Sequence, residues 1–344
     1  MSAVGDIPAT PRRRRLGIRN AAPGGEPPAP AGPGGVAPST SRARRRLVGR
    51  WVPYVLSSPS LLVLAAVIGF PLIFCLVISF QEFGPYQLVT GGPTHWVGFH
   101  NYQSLFTGQF VPVLVRTLLF LVGTVGLTLI IGLGMALLMR RAHTWARVTL
   151  TVVLVAVWAV PQITASQIFI WIFDPSYGIA NWVLSSLHLG SYATLSHEQW
   201  YNFPVSVLAL AGTIVVWGAV PFVAITLFAG LLQIPEELYE AARVDGAGFV
   251  SQLRTITLPL LMPILLLLGV LSTIWDFNAF NQIYVLQQVG GISTETTTFG
   301  VWAYNVAFVG GSYGVGGAVT LLGVVLLLVV TGAAVRMMVR GATS

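Results

Sequence analysis

Residues 217–270 read WGAVPFVAITLFAGLLQIPEELYEAARVDGAGFVSQLRTITLPLLMPILLLLGV and contain two apolar runs separated by a short polar segment. The polar segment has the spaced pattern E-A-A, three residues, G, nine residues, I-x-L-P, which begins at Glu240 and ends at Pro259. Apolar runs of about 20 residues are typical of membrane-spanning helices. The stretch therefore predicts two spanning helices joined by a structured loop outside the membrane.

The composition places most of the chain in a lipid bilayer. Of its 344 residues, 55% are hydrophobic and only 8% are charged, which is too apolar for a water-soluble domain of this size. Six apolar stretches are each long enough for one spanning helix: 54–80, 112–139, 148–173, 204–232, 259–286 and 313–336. The predicted fold is all-α, a polytopic membrane protein with six transmembrane helices in residues 51–344.

Residues 1–50 differ in composition from the rest of the chain. Two arginine clusters flank the stretch AAPGGEPPAPAGPGG, and proline and glycine at this density leave little to pack. We expect a disordered, arginine-rich tail. Its charge lies beside the first apolar stretch, so it indicates a contact with anionic membrane lipid or an orientation signal, and no partner nucleic acid.

The distribution of arginine predicts the orientation of the spans. Of 18 basic residues, only Arg116 lies near the outer face if the N-terminus is cytoplasmic. Basic residues accumulate in cytoplasmic loops of membrane proteins. We therefore expect a multi-pass protein of the bacterial cytoplasmic membrane, with both termini and the loop 233–258 on the cytoplasmic side. Arg116 itself suits a snorkelling anchor better than a substrate ligand.

The polar loop has the features of a helix, a turn and a second helix. Pro235 suits the first position of a helix, and Glu236 and Glu237 suit its first turn, where the helix dipole favours acidic residues. Gly246 can adopt the left-handed conformation that ends a helix. We expect a second helix to follow and to stop at Pro259, where the chain re-enters the membrane.

Four segments resemble the carbohydrate class of ABC importer permeases. The loop 240–259 matches the cytoplasmic loop by which such permeases engage their ATPases, and GFHNYQSLF (98–106) and FDPSYGIAN (173–181) are similar to two further segments of the family. YVLQQVGGISTETTTFGVWAYNVAF (284–308) is also similar, with Ile292 where proline is usual. The chain is most similar to the shorter, six-span relatives of the MalF and UgpA type, which implies the MalF-like fold of type I ABC importers.

The resemblance implies a mechanism and a set of partners. The partners would be a second, MalG-like permease, two copies of a cytoplasmic ABC ATPase and an extracytoplasmic sugar-binding protein. Closure of the ATPases on ATP would move the loop and rock the paired bundles between inward-open and outward-open states. The residues implied in ATPase coupling are Glu240, Ala241, Ala242, Arg243, Asp245, Gly246, Ile256, Leu258 and Pro259.

The chain has no motif for ATP hydrolysis. A phosphate-binding loop needs the lysine of G-x-x-x-x-G-K-[ST], and all 18 basic residues here are arginine. We therefore expect a transport subunit without a catalytic site, metal or cofactor of its own, with ATP and magnesium held by the partner ATPase.

A polar and aromatic cluster in the fifth apolar stretch is the predicted substrate path. Sugars offer apolar ring faces and many hydroxyls, so their sites combine aromatic rings with amide and carboxylate groups. Asp276 is the one acidic residue inside the six stretches, and an ionisable group at membrane depth faces a cavity or a partner. The candidate residues are Asp276, Trp275, Asn278, Asn281, Trp158, Gln162 and Trp217.

Other interpretations of these residues stay open. Tryptophan near helix ends is often an interfacial anchor, and amides often bond neighbouring helices. A neutral mono- or oligosaccharide is the expected cargo; the alternative is a polyol, a glycerol phosphate or a peptide, and an anionic cargo would call for arginine within the spans. An ion-coupled secondary transporter would need acids or histidines in several spans, and an intramembrane enzyme would need paired catalytic groups; the apolar stretches offer neither.

Overall fold

The computed structural model describes residues 41–187, 200–290 and 293–343. In chain order the helices are α1 (Ser41–Leu64), α2 (Phe70–Ile78), α3 (Pro85–Thr90), α4 (His100–Phe106), α5 (Phe110–Arg141), α6 (Thr144–Trp158), α7 (Gln162–Ile172), α8 (Ile179–Ser186), α9 (Pro204–Leu231), α10 (Glu236–Val244), α11 (Phe249–Gln252), α12 (Leu258–Phe277), α13 (Phe280–Val289), α14 (Ser293–Thr296), α15 (Phe299–Tyr304) and α16 (Tyr313–Thr343). Three π-helical segments are Ala65–Gly69, Leu253–Thr257 and Asn305–Val309. Strands β1 (Gln81–Glu82) and β2 (His95–Trp96) pair antiparallel.

Contacts divide the chain into two units, residues 1–62 and 63–344. In the first unit the structure describes α1 from Ser41 onwards. Residues 1–40 of the predicted disordered tail lie outside the described residues. Residues 41–50 are helical, so the helix begins before the predicted boundary at residue 50.

The prediction of an all-α polytopic membrane protein is confirmed. Within the described residues, five helical runs are long and apolar enough to cross a membrane, and a sixth results if α6 and α7 are counted as one span. The five are Tyr54–Ile78, Phe110–Arg141, Pro204–Leu231, Phe249–Val289 and Tyr313–Arg336. Pro221 and Pro263 lie inside α9 and α12 without ending them.

The third predicted span is not one continuous helix. It bends by 100° between α6 and α7, where Pro161 takes an extended conformation and precedes α7. Proline has no backbone N–H, and its ring disfavours a helical conformation at the preceding residue. The predicted span 148–173 is therefore a bent pair of helices, and counting the pair as one span gives the predicted six.

The second helix of the polar loop does not stop at Pro259. The chain stays helical from Phe249 through the π-helical segment Leu253–Thr257 and into α12. The ring of a proline clashes with the carbonyl four residues earlier, here that of Thr255. Because Thr255 lies in the wider π-helical turn, Pro259 is accommodated. At the start of the loop, Pro235 caps α10 from outside and is not its first residue.

Helix α9 is the centre of the bundle. In the most apolar 18 residues of this helix 61% of the residues are buried, against 6–28% in the other long helices. It packs on α5, α6, α12 and α13. Small residues permit the close approach: a Cβ added to Gly132 of α5 would lie 2.5 Å from Cγ1 of Val223 in α9. Close contact through glycine is a common way for membrane helices to associate.

Two of the segments that resemble the family have defined structural roles. The buried Asn101 side chain donates hydrogen bonds to the carbonyls of Ser79 and Gln81, both at 2.9 Å, and so ties α4 to the end of the first span. Asp174 Oδ1 accepts the amides of Ser176 at 2.8 Å and Tyr177 at 3.2 Å, which forms the turn after α7. These segments therefore shape the connections at one end of the bundle.

Two glycines of α5 provide a test of the close contact between α5 and α9. We expect Gly132→Ala to destabilise the protein by about 1–3 kcal/mol, because the added methyl overlaps Val223. Gly134→Ala is the matched control, since no described atom lies within 4 Å of its added Cβ. The melting temperature of purified Gly132→Ala should lie below that of the wild type. The melting temperature of Gly134→Ala should not. Equal stability of both variants would contradict this packing.

Candidate functional site

The polar loop folds as a helix that is held by one buried side chain. Helix α10 carries Glu236 and Glu237 in its first turn, as predicted, and Tyr239 is its buried residue. The Tyr239 hydroxyl lies 3.0 Å from Oγ1 of Thr257, at the end of the π-helical segment before α12. This hydrogen bond fixes the two halves of the loop against each other.

Gly246 forms the turn after α10, as the sequence predicts. Its φ is 79°, in the left-handed region. The amide of Gly246 donates to the carbonyl of Arg243 at 3.1 Å, and that of Ala247 donates to the carbonyl of Ala242 at 2.8 Å. This pair of bonds is a Schellman motif, which ends a helix and turns the chain sharply. The residues of the E-A-A and G positions thus build one compact loop, which we call the coupling loop (residues 233–258).

Arg140 attaches the coupling loop to the end of α5. Its Nη2 lies 2.7 Å from Oε2 of Glu236, and its guanidinium lies 4.0 Å from the centre of the Tyr239 ring. Glu236 is exposed, so the ion pair alone contributes little. Because Tyr239 is buried, the cation–π contact adds to it. Arg141 makes a second such contact with Phe249, at 4.3 Å.

The sequence analysis used both arginines only as orientation signals. Their roles depend on how α5 meets the loop about 95 residues later in the chain, which no local pattern encodes.

One face of the coupling loop is open. Glu240 and Ala241 are exposed, and Val244 is 88% exposed although it is apolar. Oε1 of Glu240 lies 3.9 Å from Nη2 of Arg243 on the same surface, and both side chains are more than half exposed. Asp245 and Gly246 are also exposed, and Ala242 is half-buried. This face of the coupling loop therefore presents both charged and apolar side chains.

The I-x-L-P part of the spaced pattern, residues 256–259, does not share the open face of α10. Ile256 packs against the buried cluster that includes Leu227, Leu261 and Leu268, and Leu258 is half-buried. Pro259 is exposed. The structure therefore brings the first six of the predicted coupling residues to one surface, and it places Ile256 in the packing that anchors that surface to α9 and α12.

The turn at Gly246 provides a test of the loop geometry. Gly246→Ala should destabilise the loop by about 1–2 kcal/mol, since a non-glycine residue is strained at positive φ. Gly248→Ala is the matched control, because Gly248 has φ −73° and open space around it. Amide hydrogen exchange over residues 240–258 should rise in the first variant and not in the second. Unchanged exchange in Gly246→Ala would contradict the Schellman motif.

An exposed row of aromatic rings contains two of the predicted substrate residues. Trp158, at the end of α6, stacks on Phe222 with centroids 6.5 Å apart, and Phe222 meets Trp275 edge to face at 5.2 Å. Trp158 and Trp275 are 58% and 47% exposed. We call these three residues the aromatic row. The sequence analysis did not select Phe222, although this residue directly follows Pro221 in the fourth apolar stretch.

The two amide candidates of the fifth span are exposed near this row. Asn278 and Asn281 flank the interruption between α12 and α13, and both side chains are exposed. Asn278 Nδ2 donates to the carbonyl of Ile274 at 2.9 Å and closes the end of α12.

Asp276 lies on a different face from the aromatic row. It is 4% exposed, faces Thr124 of α5, and its Oδ2 has no hydrogen-bond partner among the described residues. The structure therefore places this carboxyl between α5 and α12, apart from the exposed Trp275.

The remaining candidates join the two interrupted helices. Gln162 begins α7, immediately after the bend, and its Oε1 accepts a hydrogen bond of 2.8 Å from Nε2 of Gln282 in α13. Gly218 of α9 makes room for it, since an added Cβ there would lie 2.9 Å from Gln162 Nε2. The Trp217 ring packs edge to face against the Phe169 ring, with the two centroids 5.8 Å apart.

Arg116 is also a structural residue. It donates hydrogen bonds to the carbonyls of Thr294 at 3.1 Å and Thr297 at 2.7 Å, both in the connection after α13. The guanidinium therefore holds this connection to the start of α5, and its snorkelling role stays a prediction.

Comparisons with known proteins agree with these features. Residues 128–343 match the family model described as binding-protein-dependent transport system inner membrane component. The chain is 36% identical to a diacetylchitobiose uptake system permease of Streptomyces coelicolor over 308 residues, which cover 89% of this chain and 92% of that protein. It is 36% identical over 234 residues to a trehalose/maltose transport system permease of Thermococcus litoralis, with 68% and 76% covered.

Among solved structures, the fold is similar to a bacterial ABC transporter that imports the acidic polysaccharide alginate. The TM-score is 0.68 at 20% sequence identity, with 87% of this chain and 99% of that chain covered. At this identity the similarity concerns the fold.

Proposed function

This chain belongs to the family of binding-protein-dependent transport system inner membrane components, and from that premise we propose that it imports a neutral mono- or oligosaccharide as one of two paired permeases. Its partners would be a second permease, two copies of a cytoplasmic ABC ATPase and an extracytoplasmic sugar-binding protein. ATP and magnesium would be held by the ATPase. The observation that carries the proposal is the exposed face of the coupling loop, with Glu240 and Val244 displayed on a helix that is anchored to the bundle.

The coupling loop has the properties of a force-bearing contact. Helix α10 is attached to α5 through Arg140 and to the start of α12 through the hydrogen bond of Tyr239 with Thr257. A displacement of α10 by a partner would therefore move α5 and α12 with it. Because α12 carries Trp275 at its far end, motion of the loop reaches the aromatic row. Nucleotide-driven closure of the ATPases would in this way open and close the path.

The arginine distribution supports a cytoplasmic coupling loop. Arg140, Arg141, Arg147 and Arg243 lie at the loop end of the bundle, and Arg116 is at the other end. We propose that both termini are cytoplasmic, in accordance with the positive-inside rule. Residues 1–50 would then be a cytoplasmic tail ahead of the permease domain, beside anionic lipid.

The nature of the cargo rests on the aromatic row and on the relatives. Aromatic rings pack against the apolar faces of sugar rings, and Asn278 and Asn281 offer amides for hydroxyls. Several relatives are sugar permeases by name, among them the two compared above. We place the sugar against the aromatic row and Asn281, and we assign Asp276 to the adjoining interface of α5 and α12. A polyol, glycerol phosphate or peptide is the alternative cargo.

Reconstitution tests the coupling. The chain with its companion permease, its ATPases and its binding protein should hydrolyse ATP faster when the binding protein carries sugar. Glu240→Ala and, separately, Val244→Asp should reduce this stimulation about tenfold, because each alters an exposed contact without a role in folding. Glu82→Ala, an exposed acid on β1, is the matched control. Sugar-stimulated turnover that survives both loop variants would refute the role of this surface.

Uptake by whole complexes tests the path. We expect Trp275→Ala to weaken sugar uptake about tenfold, through loss of an aromatic contact with the cargo, while basal ATP hydrolysis persists. Trp145→Ala serves as control, since Trp145 is 75% exposed but lies at the loop end of α6. Equal uptake by both variants would remove the aromatic row from the path.

A further inference from the structure

A polar pocket lies at the end of the bundle opposite the coupling loop. Its volume is about 440 Å³. It forms where the residue before α5, the short helix α14 and the π-helical segment Asn305–Val309 meet. The lining side chains that matter here are Gln109, Ser293, Thr294, Trp302, Asn305 and Ser312. We call this the outer pocket.

Most of the polar side chains that line the outer pocket are not used by the fold; Thr297 is the exception, since its hydroxyl donates to the carbonyl of Ser293. Among the described residues, none of the side chains of Gln109, Ser293, Thr294, Asn305 and Ser312 makes a hydrogen bond. Two amides and three hydroxyls therefore converge on one cavity with their donors and acceptors free. Trp302, only 8% exposed, closes the pocket and packs on Phe299 at 5.8 Å. The cavity thus has a rigid aromatic wall and uncommitted polar groups.

The pocket is held in shape by bonds that lie behind its lining. Arg116 donates to the carbonyls of Thr294 and Thr297, Thr297 Oγ1 donates to the carbonyl of Ser293 at 2.6 Å, and the amide of Phe299 donates to Thr117 Oγ1 at 3.2 Å. These bonds fix α14 and the start of α15 to α5. The volume of the pocket lies within the range of about 300 to 1,000 Å³ that small-molecule sites have.

The backbone that borders the outer pocket is π-helical. Asn305 begins a π-helical segment in which the amide of Gly310 donates to the carbonyl of Asn305 at 2.7 Å, and the amide of Ser312 donates to the carbonyl of Val306 at 3.1 Å. π-Helical segments are less stable than α-helix and are frequently found at functional sites. Here the segment brings Asn305 and Ser312 to the same cavity.

The charge of the lining selects the class of ligand. Neither of the charged residues at this end of α5 and α14 contributes to it: Arg116 is used on backbone carbonyls, and Glu295 lines a separate apolar groove between α5 and α9. Amides and hydroxyls both donate and accept hydrogen bonds, as sugar hydroxyls do. An ion would find no opposite charge here, and an apolar ligand would leave the polar groups unpaired.

We infer that the outer pocket binds one end of a neutral di- or oligosaccharide before the sugar reaches the aromatic row. This inference rests on the proposed function and deepens it by adding an entry site. The pocket shares no residue with the aromatic row, so the two sites can be altered separately. A sugar that leaves its binding protein would first meet Gln109 and Asn305.

The test uses the full complex in lipid nanodiscs without the binding protein, with diacetylchitobiose and maltose as probes. Binding is followed by saturation-transfer difference NMR in a Trp275→Ala background, which weakens the deeper site. We expect Gln109→Ala combined with Asn305→Ala to weaken sugar binding about tenfold, because two hydrogen-bonding side chains are removed. Gln103→Ala combined with Gln288→Ala is the matched control, because these exposed amides do not line the pocket.

The outcomes separate the inference from the proposed function. Weaker sugar binding in the pocket variant and not in the control supports the entry site. Equal binding in both, in a complex whose wild type shows sugar-stimulated ATP turnover, overturns the entry site alone. A wild type without that turnover overturns the proposed function and the inference with it. A separate titration of the same nanodiscs with sugar-free binding protein covers the remaining case: loss of affinity for that protein in the pocket variant, with sugar binding unchanged, assigns the pocket to protein contact and overturns the inference.

Discussion

Backbone amides and carbonyls at membrane depth must be hydrogen-bonded within the protein, and this requirement explains where the helices of this chain are interrupted. Irregular backbone inside a membrane is tolerated only where protein or a water-filled cavity surrounds it. The bend between α6 and α7 and the interruption between α12 and α13 are two such places. The hydrogen bond between Gln162 and Gln282 joins them directly. The two interruptions therefore form one site and not two separate defects.

The convergence of these interruptions gives the aromatic row its setting. Trp158 ends one helix just before the bend, and Trp275 lies three residues before the interruption at Asn278. Phe222, on the continuous helix α9, bridges the two rings. Discontinuous helices at membrane depth mark substrate sites in transporters because they release polar backbone and side-chain groups toward a cavity. The same physical feature thus accounts for both the architecture and the candidate path.

The sequence was sufficient for features that depend on composition or on local chain conformation. Five of the six predicted spans, the acidic first turn of α10 and the left-handed Gly246 follow from hydropathy, the helix dipole and glycine geometry. It was not sufficient where the outcome depends on distant partners. Pro161 interrupts a helix whereas Pro221 and Pro263 lie inside continuous helices, so a proline in the sequence does not by itself tell which helix is interrupted. Arg140 and Phe222 were missed for the same reason, since each is defined by contacts far along the chain.

The rigidity of α12 connects the coupling loop with the path. From Leu258 to Phe277 the helix has 20 residues, which corresponds to about 30 Å at 1.5 Å per residue. Its lower end is fixed to α10 through Thr257 and Tyr239, and its upper end carries Trp275. A helix of this length without an internal break would transmit a rotation of its base to its tip, whereas α6 and α7 meet at an angle of 100°. For the proposed function, α12 would serve as a stiff lever, and the hydrogen bond between Gln162 and Gln282 would pass its motion to the bent pair α6 and α7.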